Sequence, residues 1–344
     1  MPDGAALPSR EPLCGSPRRA GTTDNPLYTE DMPSRVRLIA IDIDGTLLPT
    51  SSTTISPRNC RALRGAQAAG IHIVIATGRR QQYAGPVLQQ VGLAAHTVMI
   101  SSNGSVVRYF DRTLIQRNLL AAASARALCP ALRPFGQTMV FTFDRESAPS
   151  LVVESVAALN RRVGVWVEAN RPDMLEIAPL ERAFDQDEAP IQGMLCGEIA
   201  QVRAAQRVLE GMHFATNITM HRTEYADRDL GILDILPPNC SKGHALANYA
   251  RSLGLDASEV MAIGDNFNDQ TMLEYAGRPV LMANAGDELQ ALGRQRGWAV
   301  TLSNDNDGVA ETLEPIIRSA QDGGPAGNGP TPEVVTAKAE AGGR

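Results

Sequence analysis

The chain has 344 residues, of which 43% are hydrophobic and 20% are charged, and its formal net charge is -6. This length suits two globular domains, and the acidic balance argues against nucleic acid as the main partner, because phosphate backbones attract basic surfaces. No apolar run reaches the roughly 18 residues of a membrane span, so we expect a soluble protein without a membrane partner.

The first 34 residues are rich in Pro, Gly, Arg and Ser and lack the apolar stretch of a signal peptide. This composition predicts a disordered leader, and Met32 near its end leaves open whether translation starts there or at Met1. The five cysteines, at positions 14, 60, 129, 196 and 240, are scattered without a CxxC pair. We therefore expect neither a disulfide framework nor a zinc site, and a reducing, cytoplasmic location.

Strands and helices alternate after this leader. Almost continuously apolar runs predict parallel strands at 36–44, 71–79 and 97–104. Helices are predicted between them, at 56–70 and 81–91. This order predicts an α/β fold with a Rossmann-like, doubly wound parallel sheet and right-handed crossovers.

The middle of the chain follows a different pattern, with short strands in succession. It predicts a separate α+β module inserted over residues 107–229. The predicted hairpin strands are 105–110 and 113–119, the later strands are 138–143, 163–169, 191–197 and 218–222, and the helices are 119–132, 151–162 and 199–211.

Alternation returns towards the end of the chain. Helices are predicted at 241–255, 268–277, 287–297 and 308–320, and strands at 230–236, 260–265 and 279–285. The Gly/Pro/Ala-rich segment 321–344 predicts a flexible tail. The predicted domains are therefore a discontinuous core, 35–106 and 230–320, and the inserted cap, 107–229.

Polar residues stand where the predicted core strands end. Asp42 and Asp44 end the first strand, Thr77 the second, Asn103 the third and Asp265 a later one. Ligands of open α/β sheets bind at this edge, beyond the carboxyl ends of the strands. Neighbouring carboxylates repel unless a cation lies between them, and oxygen ligands without nearby His or Cys suit Mg²⁺.

Five motifs in this order resemble the phosphohydrolases of the haloacid dehalogenase superfamily. They are DIDGTLL at 42–48, ATGR at 76–79, SNG at 102–104, SKG at 241–243 and GDNFND at 264–269. Two more, MANA at 282–285 and SNDNDGVA at 303–310, are similar to the Cof-type branch with a class IIB cap. The resemblance covers about residues 36–318, and the family's usual Gly is replaced by Ala283.

The resemblance implies that Asp42 is the nucleophile and becomes an aspartyl-phosphate, and that Asp44 is the general acid and base. A carboxylate is ionised at pH 7 and needs no base, but it is repelled by a phosphate dianion unless a metal ion intervenes. Mg²⁺ is the implied cofactor, and a small phosphomonoester such as a sugar phosphate is the implied substrate, with other organic phosphates, a flavin phosphate and pyridoxal phosphate as open alternatives. The enzyme would be a phosphatase.

The remaining site residues also follow from the resemblance. The implied metal ligands are Asp42, Asp44, Asp265 and Asn266. The implied phosphate-binding residues are Ile43, Thr77, Gly78, Lys242 and Asn268, with Asp269 and Asn103 supporting them from behind.

Two alternative functions remain open at this stage. A phosphomutase would use the same two aspartates, and a non-catalytic regulator would only bind a phosphorylated metabolite. The sequence leaves the physiological substrate, the oligomeric state and the roles of His221 and Trp166 in the cap open. Arg79 either attracts the anionic substrate or pairs with an acidic neighbour.

Overall fold

The computed structural model describes residues 35–146, 149–225 and 228–322. The predicted leader, the choice of start at Met1 or Met32 and nearly all of the predicted tail lie outside these ranges. Within them, no helix combines the length and apolar character that crossing a membrane requires.

The first part of the chain alternates strands and helices and then forms a hairpin. Ser56 caps the first helix by accepting a hydrogen bond from the backbone N–H of Asn59, 3.0 Å away. The elements are β1 (Leu38–Ile41), α1 (Pro57–Ala68), β2 (His72–Ala76), α2 (Gln81–Gln89), β3 (Val98–Ser101), β4 (Val106–Tyr109) and β5 (Leu114–Arg117).

The middle part builds a second set of strands with three helices. Its elements are α3 (Ala122–Leu132), β6 (Met139–Thr142), β7 (Leu151–Val153), α4 (Val156–Asn170), β8 (Met174–Glu176), β9 (Gln192–Gly197), α5 (Ile199–Glu210), β10 (Thr219–Tyr225) and β11 (Leu230–Leu236).

The last part returns to strict alternation. Ser241 caps its first helix by accepting from the backbone N–H of His244 at 3.1 Å. The elements are α6 (Lys242–Ser252), β12 (Val260–Gly264), α7 (Gln270–Tyr275), β13 (Arg278–Leu281), α8 (Asp287–Arg296), β14 (Ala299–Val300) and α9 (Gly308–Asp322).

The strands form two sheets. The large sheet has eight strands in the order β14-β13-β12-β1-β2-β3-β4-β5, and the small sheet has six in the order β10-β11-β9-β6-β7-β8. From β14 to β3 all neighbours are parallel, whereas β4 and β5 are added antiparallel. In the small sheet only β7 and β8 are parallel.

Helices cover both faces of the large sheet. Ile39 and Ile41 of β1 pack in one apolar cluster with residues of α1 and α9. Leu38 and Ala40 point to the opposite face and pack with residues of α6, α7 and α8. Successive residues of a strand face opposite sides, so a central strand covered twice is apolar throughout. The predicted doubly wound α/β fold is confirmed.

The boundaries of the inserted module differ from the predicted 107–229. The hairpin β4–β5 extends the large sheet, because β4 follows β3 through a tight turn and pairs with it. At the other end, β11 pairs with β9 and β10 in the small sheet instead of joining the core. The small sheet and its helices therefore occupy about residues 118–236, and their independence as a domain stays a prediction.

Residues 151–169 also differ from the prediction of a helix followed by a strand. Leu151–Val153 is strand β7, and α4 runs through Val163, Val165 and Val167, which the alternating valines had placed in a strand. Val167 is buried but Val165 is 90% exposed, so the alternation does not mark a buried sheet face. The short strands β8 and β14 were not predicted.

Candidate active site

Asp42 follows β1, the strand that lies between β12 and β2 near the middle of the large sheet. Its backbone N–H donates to the carbonyl of Ile263 at 3.1 Å, which continues the pairing of β1 with β12. The chain then turns at Gly45, whose φ is +79°. A Cβ there would lie 2.2 Å from Oδ2 of Asp265, so glycine permits both the turn and the approach of this carboxylate.

Lys242 connects two of the predicted site residues. Its Nζ donates to Oδ1 of Asp42 at 2.6 Å and to Oδ1 of Asp269 at 2.7 Å, and its side chain is fully buried. Burial lowers the pKa of Lys242, but the charges of Asp269 and Asp42 outweigh that effect and raise it. The lysine is therefore an ammonium ion at neutral pH.

The carboxylate of Asp269 accepts three hydrogen bonds. Besides Lys242 on Oδ1, its Oδ2 accepts from the backbone N–H groups of Asp265 and Asn266, both at 3.0 Å. Asn266 in turn uses its Oδ1 to accept from the backbone N–H of Phe267 at 2.8 Å. Asp269 thus fixes the turn that carries Asp265, and Asn266 caps the short helical turn 267–269.

A group of carboxylate oxygens from Asp42, Asp265 and Asp269 lies within 4.8 Å of one another. Burial raises the pKa of Asp42; Lys242 opposes this effect, and the neighbouring carboxylates add to it. Burial followed by the charge of Asp269 raises the pKa of Asp265 to about 7, although Thr46 donates to it at 2.7 Å. One ammonium ion does not balance three carboxylates, two of which are buried, so the donor set fits a hard divalent cation.

Asp44 is turned towards Arg79. The guanidinium donates from Nε and Nη2 to the two oxygens of Asp44 at 2.7 and 2.5 Å. This hydrogen bonding raises the pKa of Arg79. The side chain of Asp44 is 55% exposed, so this pair lies at the open mouth of the site. Of the two readings of Arg79, the structure shows pairing with an acidic neighbour.

The loop after β2 forms the other side of the site. Thr77 is buried, and its Oγ1 accepts from the backbone N–H of Arg79 at 3.0 Å. Gly78 lies against Asn103, because a Cβ on it would be 3.2 Å from Oδ1 of that residue. Asn103 has the left-handed φ of 53° and donates its backbone N–H to the carbonyl of Thr77 at 3.1 Å.

Asn103 links the phosphate-binding candidate Asn268 to a residue that the sequence analysis missed. Nδ2 of Asn268 donates to Oδ1 of Asn103 at 3.1 Å, and Nδ2 of Asn103 donates to Oδ2 of Asp234 at 3.0 Å. Asp234 also accepts from Gln192 at 2.5 Å. The signal for it was present as a single carboxylate within the apolar strand LGILDIL.

The two Cof-type motifs brace the turn after β1. Asn284 donates to the carbonyl of Gly45 at 2.8 Å and accepts from the backbone N–H of Asn304 at 2.9 Å. Asn304 donates to the carbonyl of Leu48, also at 2.9 Å. The two asparagines thereby support the loop that contains Asp42 and Asp44, a role that was not predicted from the sequence.

The small sheet contributes strand β10, which contacts the turn 267–269. His221 of this strand lies opposite Asp234 in the register of β10 and β11, and burial lowers its pKa. Its Nε2 is buried without a hydrogen-bond partner among the described residues. Trp166 packs from α4 against an apolar cluster of the same sheet.

Comparisons with known proteins identify the family of the chain. Residues 39–313 match the family model of haloacid dehalogenase-like hydrolases. The chain is 29% identical over 302 residues to the 5-amino-6-(5-phospho-D-ribitylamino)uracil phosphatase of Bacillus subtilis, which covers 82% of this chain and 98% of the relative. It is also 29% identical over 286 residues to the pyridoxal phosphate phosphatase of Escherichia coli, at 80% and 97% coverage.

A solved structure supports the fold. A sugar phosphatase described as belonging to HAD subclass IIB superimposes with a TM-score of 0.65 at 20% identity, over 81% of this chain and 98% of that one. The resemblance inferred from the motifs is confirmed. The chain belongs to the haloacid dehalogenase-like hydrolases, and it is an enzyme of their phosphatase group.

Proposed function

We propose that the chain hydrolyses small phosphomonoesters through an aspartyl-phosphate on Asp42, with Mg²⁺ as cofactor. The observation that supports this most is the buried contact of Lys242 with Oδ1 of Asp42 at the carboxyl end of a central strand. The ammonium ion holds one carboxylate oxygen and leaves Oδ2 to attack phosphorus. An ionised carboxylate held in place can attack without a base.

In the first step, Oδ2 of Asp42 forms a bond to phosphorus as the bond between phosphorus and the ester oxygen breaks. Asp44 donates a proton to the departing alkoxide. In the second step, Asp44 accepts a proton from water, the water oxygen attacks phosphorus, and the bond to Asp42 breaks. The products are an alcohol and inorganic phosphate, and both aspartates return to their starting state.

Asp42, the backbone carbonyl of Asp44, Asp265 and Asn266 are the residues that would hold the Mg²⁺. When bound, the ion supplies charge neutralisation for the approach of the carboxylate to the phosphoryl group. Thr77, Gly78, Lys242, Asn268 and the backbone of Ile43 would bind the phosphoryl oxygens. Asp269 would hold Lys242 in position, and the hydrogen bond between their side chains supports this role.

The pairing of Asp44 with Arg79 adds a step to this mechanism. A carboxylate held by a guanidinium has no proton to donate. The incoming phosphate dianion competes for Arg79, since guanidinium groups bind phosphate as well as carboxylate. Asp44 released in this way would take up a proton from the solvent and act as the acid, so Arg79 would pair first with Asp44 and then with the phosphate.

The substrate would be a small phosphorylated metabolite. The relatives are named for a ribityl-substituted uracil phosphate and for pyridoxal phosphate, which supports the heterocyclic phosphates, already expected beside the sugar phosphates, as a proposed substrate class. The small sheet would block access of phosphoproteins to the active site. The described cysteines are buried free thiols, which agrees with the proposed reducing, cytoplasmic location.

A turnover screen tests the proposal. Purified protein is incubated with Mg²⁺ and a panel of sugar, nucleotide, flavin and pyridoxal phosphates, and both free phosphate and isomerised ester are measured. We expect phosphate release by the native chain and none by Asp42→Asn. Isomerised sugar without phosphate would establish a phosphomutase, and binding without turnover by a folded sample would establish a regulator.

A further inference from the structure

We infer that Asp234 of the small sheet is a positioning residue for the phosphate site, because it sets the orientation of the Asn103 amide and, through it, that of Asn268. This inference rests on the proposed phosphatase function. The carboxylate of Asp234 contacts no reacting atom, and its two described hydrogen bonds come from the side chains of Asn103 and Gln192.

The donor and acceptor roles along this chain of side chains determine how each amide is oriented. An ionised carboxylate only accepts hydrogen bonds, so the amide of Asn103 must direct its NH₂ group towards Asp234. Its Oδ1 then faces Asn268, and only the NH₂ group of Asn268 can approach it. Each amide has one orientation that satisfies both neighbours, and Asp234 selects it.

The consequence for the site lies in the second N–H of the Asn268 amide. One N–H of this group is held by Asn103 at 3.1 Å, and the other stays available for a phosphoryl oxygen. If the Asn103 amide rotated by half a turn, its NH₂ group would face that of Asn268. Asn268 would then have to rotate as well and present an oxygen to the anionic phosphate, which repels it.

The environment makes this control strong. The side chains of Asn103 and Asp234 are both buried, so unsatisfied amide groups cannot turn to water. Two backbone restraints hold Asn103 in place, namely its left-handed φ of 53° and its hydrogen bond to Thr77. Burial raises the pKa of Asp234 to about 6, with Gln192 and Asn103 opposing, so the carboxylate is ionised at pH 8.

The link also crosses between the two sheets. Asn103 follows β3 of the large sheet, whereas Asp234 belongs to β11 of the small sheet. Seven residues after Asp234 the chain reaches Ser241 and then Lys242. The phosphate site therefore receives its lysine and the orientation of its amide from the same connection between the sheets.

Inhibition by orthovanadate, which mimics the phosphoryl group in transfer, tests this inference at pH 8. Asp234→Asn and Asn268→Ala should each weaken inhibition about tenfold, the size expected for one hydrogen bond to a charged group. The double variant should be no weaker than Asn268→Ala alone, because Asp234 acts through Asn268. Losses that multiply to about a hundredfold, or full inhibition of Asp234→Asn, would overturn the inference.

Gln192→Met is the matched control. It removes the other hydrogen bond of Asp234 at similar side-chain volume and leaves the contact with Asn103 in place. It should lower the melting temperature about as much as Asp234→Asn but change vanadate inhibition less than about twofold. Equal weakening by both variants would show that loss of a buried hydrogen bond, rather than amide orientation, is responsible.

Two further results distinguish failure of folding or of the proposed function from failure of the role of Asp234. If Asp234→Asn does not fold, Asp234→Ser enters the same cycle, because its small hydroxyl no longer fixes the amide, and the same outcomes apply. If the native chain releases no phosphate from any ester, the proposed function fails and this inference with it. If native turnover is inhibited by vanadate but the two losses multiply, only the role of Asp234 fails.

Discussion

At the residue scale, Lys242 determines how much negative charge the site retains. It contacts two carboxylates, and Asp265 adds a third that is held by the hydroxyl of Thr46. Removing one partner of a buried charge pair costs about 3–5 kcal/mol, since the remaining charge stays buried. The uncompensated carboxylate charge therefore disfavours the metal-free fold as the groups ionise, and a divalent cation would relieve this.

The effect of Mg²⁺ on stability should depend on pH. The pKa of Asp265 is raised to about 7, so its contribution to the stability of the metal-free fold is present at low pH and is lost as pH rises through about 7. Protons compete with the metal below that value. Mg²⁺ should therefore raise the melting temperature, relative to a chelator, more at pH 8 than at pH 6.

Thermal unfolding at both pH values, with Mg²⁺ or a chelator, measures this difference. Asp265→Asn is the control, and it should remove most of the increment at pH 8. An increment that is equal at both pH values, or larger at pH 6, would contradict the assignment of Asp265 as the titrating ligand.

Asp44 makes a prediction about leaving groups. A general acid contributes about 10²–10⁴-fold, and it matters most when the departing oxygen is basic. Asp44→Asn should therefore lose about a thousandfold in kcat/KM, which reports formation of the aspartyl-phosphate, on an alkyl phosphate but much less on 4-nitrophenyl phosphate, whose leaving group needs no proton. Steady-state kinetics on both esters gives the comparison. An equal loss on both would mean that Asp44 acts on the anion or metal instead of the leaving group.

At the element scale, the core strands and motifs were predictable and several boundaries were not. The continuous apolar runs around Asp42 and Thr77 identify strands buried on both faces, and such strands occur mainly in parallel sheets. The alternation at 163–169 was misleading because a period of two predicts a strand only where one side of it is buried, and Val165 is 90% exposed. Contacts between distant segments, such as Asn103 with Asp234, leave no local pattern.

The turn after β1 should not tolerate a side chain. Gly45→Ala places a methyl group 2.2 Å from Asp265 and requires a positive φ, which costs an alanine about 1–2 kcal/mol. We expect a lower melting temperature. Because Asp265 is pushed away, we also expect the Mg²⁺ concentration that gives half-maximal activity to rise at least tenfold. Gly70 has the same φ, +79°, but no atom lies within 4 Å of an added Cβ. Gly70→Ala should therefore lower stability without affecting the dependence of activity on Mg²⁺. Equal Mg²⁺ dependence in both variants would contradict this steric account.

At the scale of the whole molecule, polar contacts join the two sheets. Arg80, just before α2, is almost buried against Ser150, Asn170 and Asp173. On the β4 side, Arg108 donates to both oxygens of Asp144 at 2.9 and 2.7 Å. The apolar clusters do not mix, since those of the large sheet use residues 36–110 and 245–317 and those of the small sheet use 120–235.

This separation predicts that the large sheet carries out the chemistry and that the small sheet selects the substrate. Replacing residues 119–236 with a short linker should leave a folded core that still hydrolyses a small aryl phosphate, because Asp42, Lys242 and Asp265 lie outside the deleted segment. Discrimination among natural phosphates should be lost, as the small sheet would contact the leaving group. Circular dichroism verifies folding first. A folded core that kept the native ranking of substrates would show that selectivity resides in the large sheet.

The most direct test of covalent catalysis is the chemical state of Asp42 during turnover. The enzyme is mixed with excess substrate and Mg²⁺, quenched in acid within one turnover, and digested for peptide mass spectrometry. Asp44→Asn is run in parallel with 4-nitrophenyl phosphate, whose departure needs no proton, because slower attack by water should then let the intermediate accumulate. We expect one phosphoryl group on the peptide that contains Asp42, located on that residue. Release of phosphate at the native rate with this peptide unmodified at every time point would contradict it.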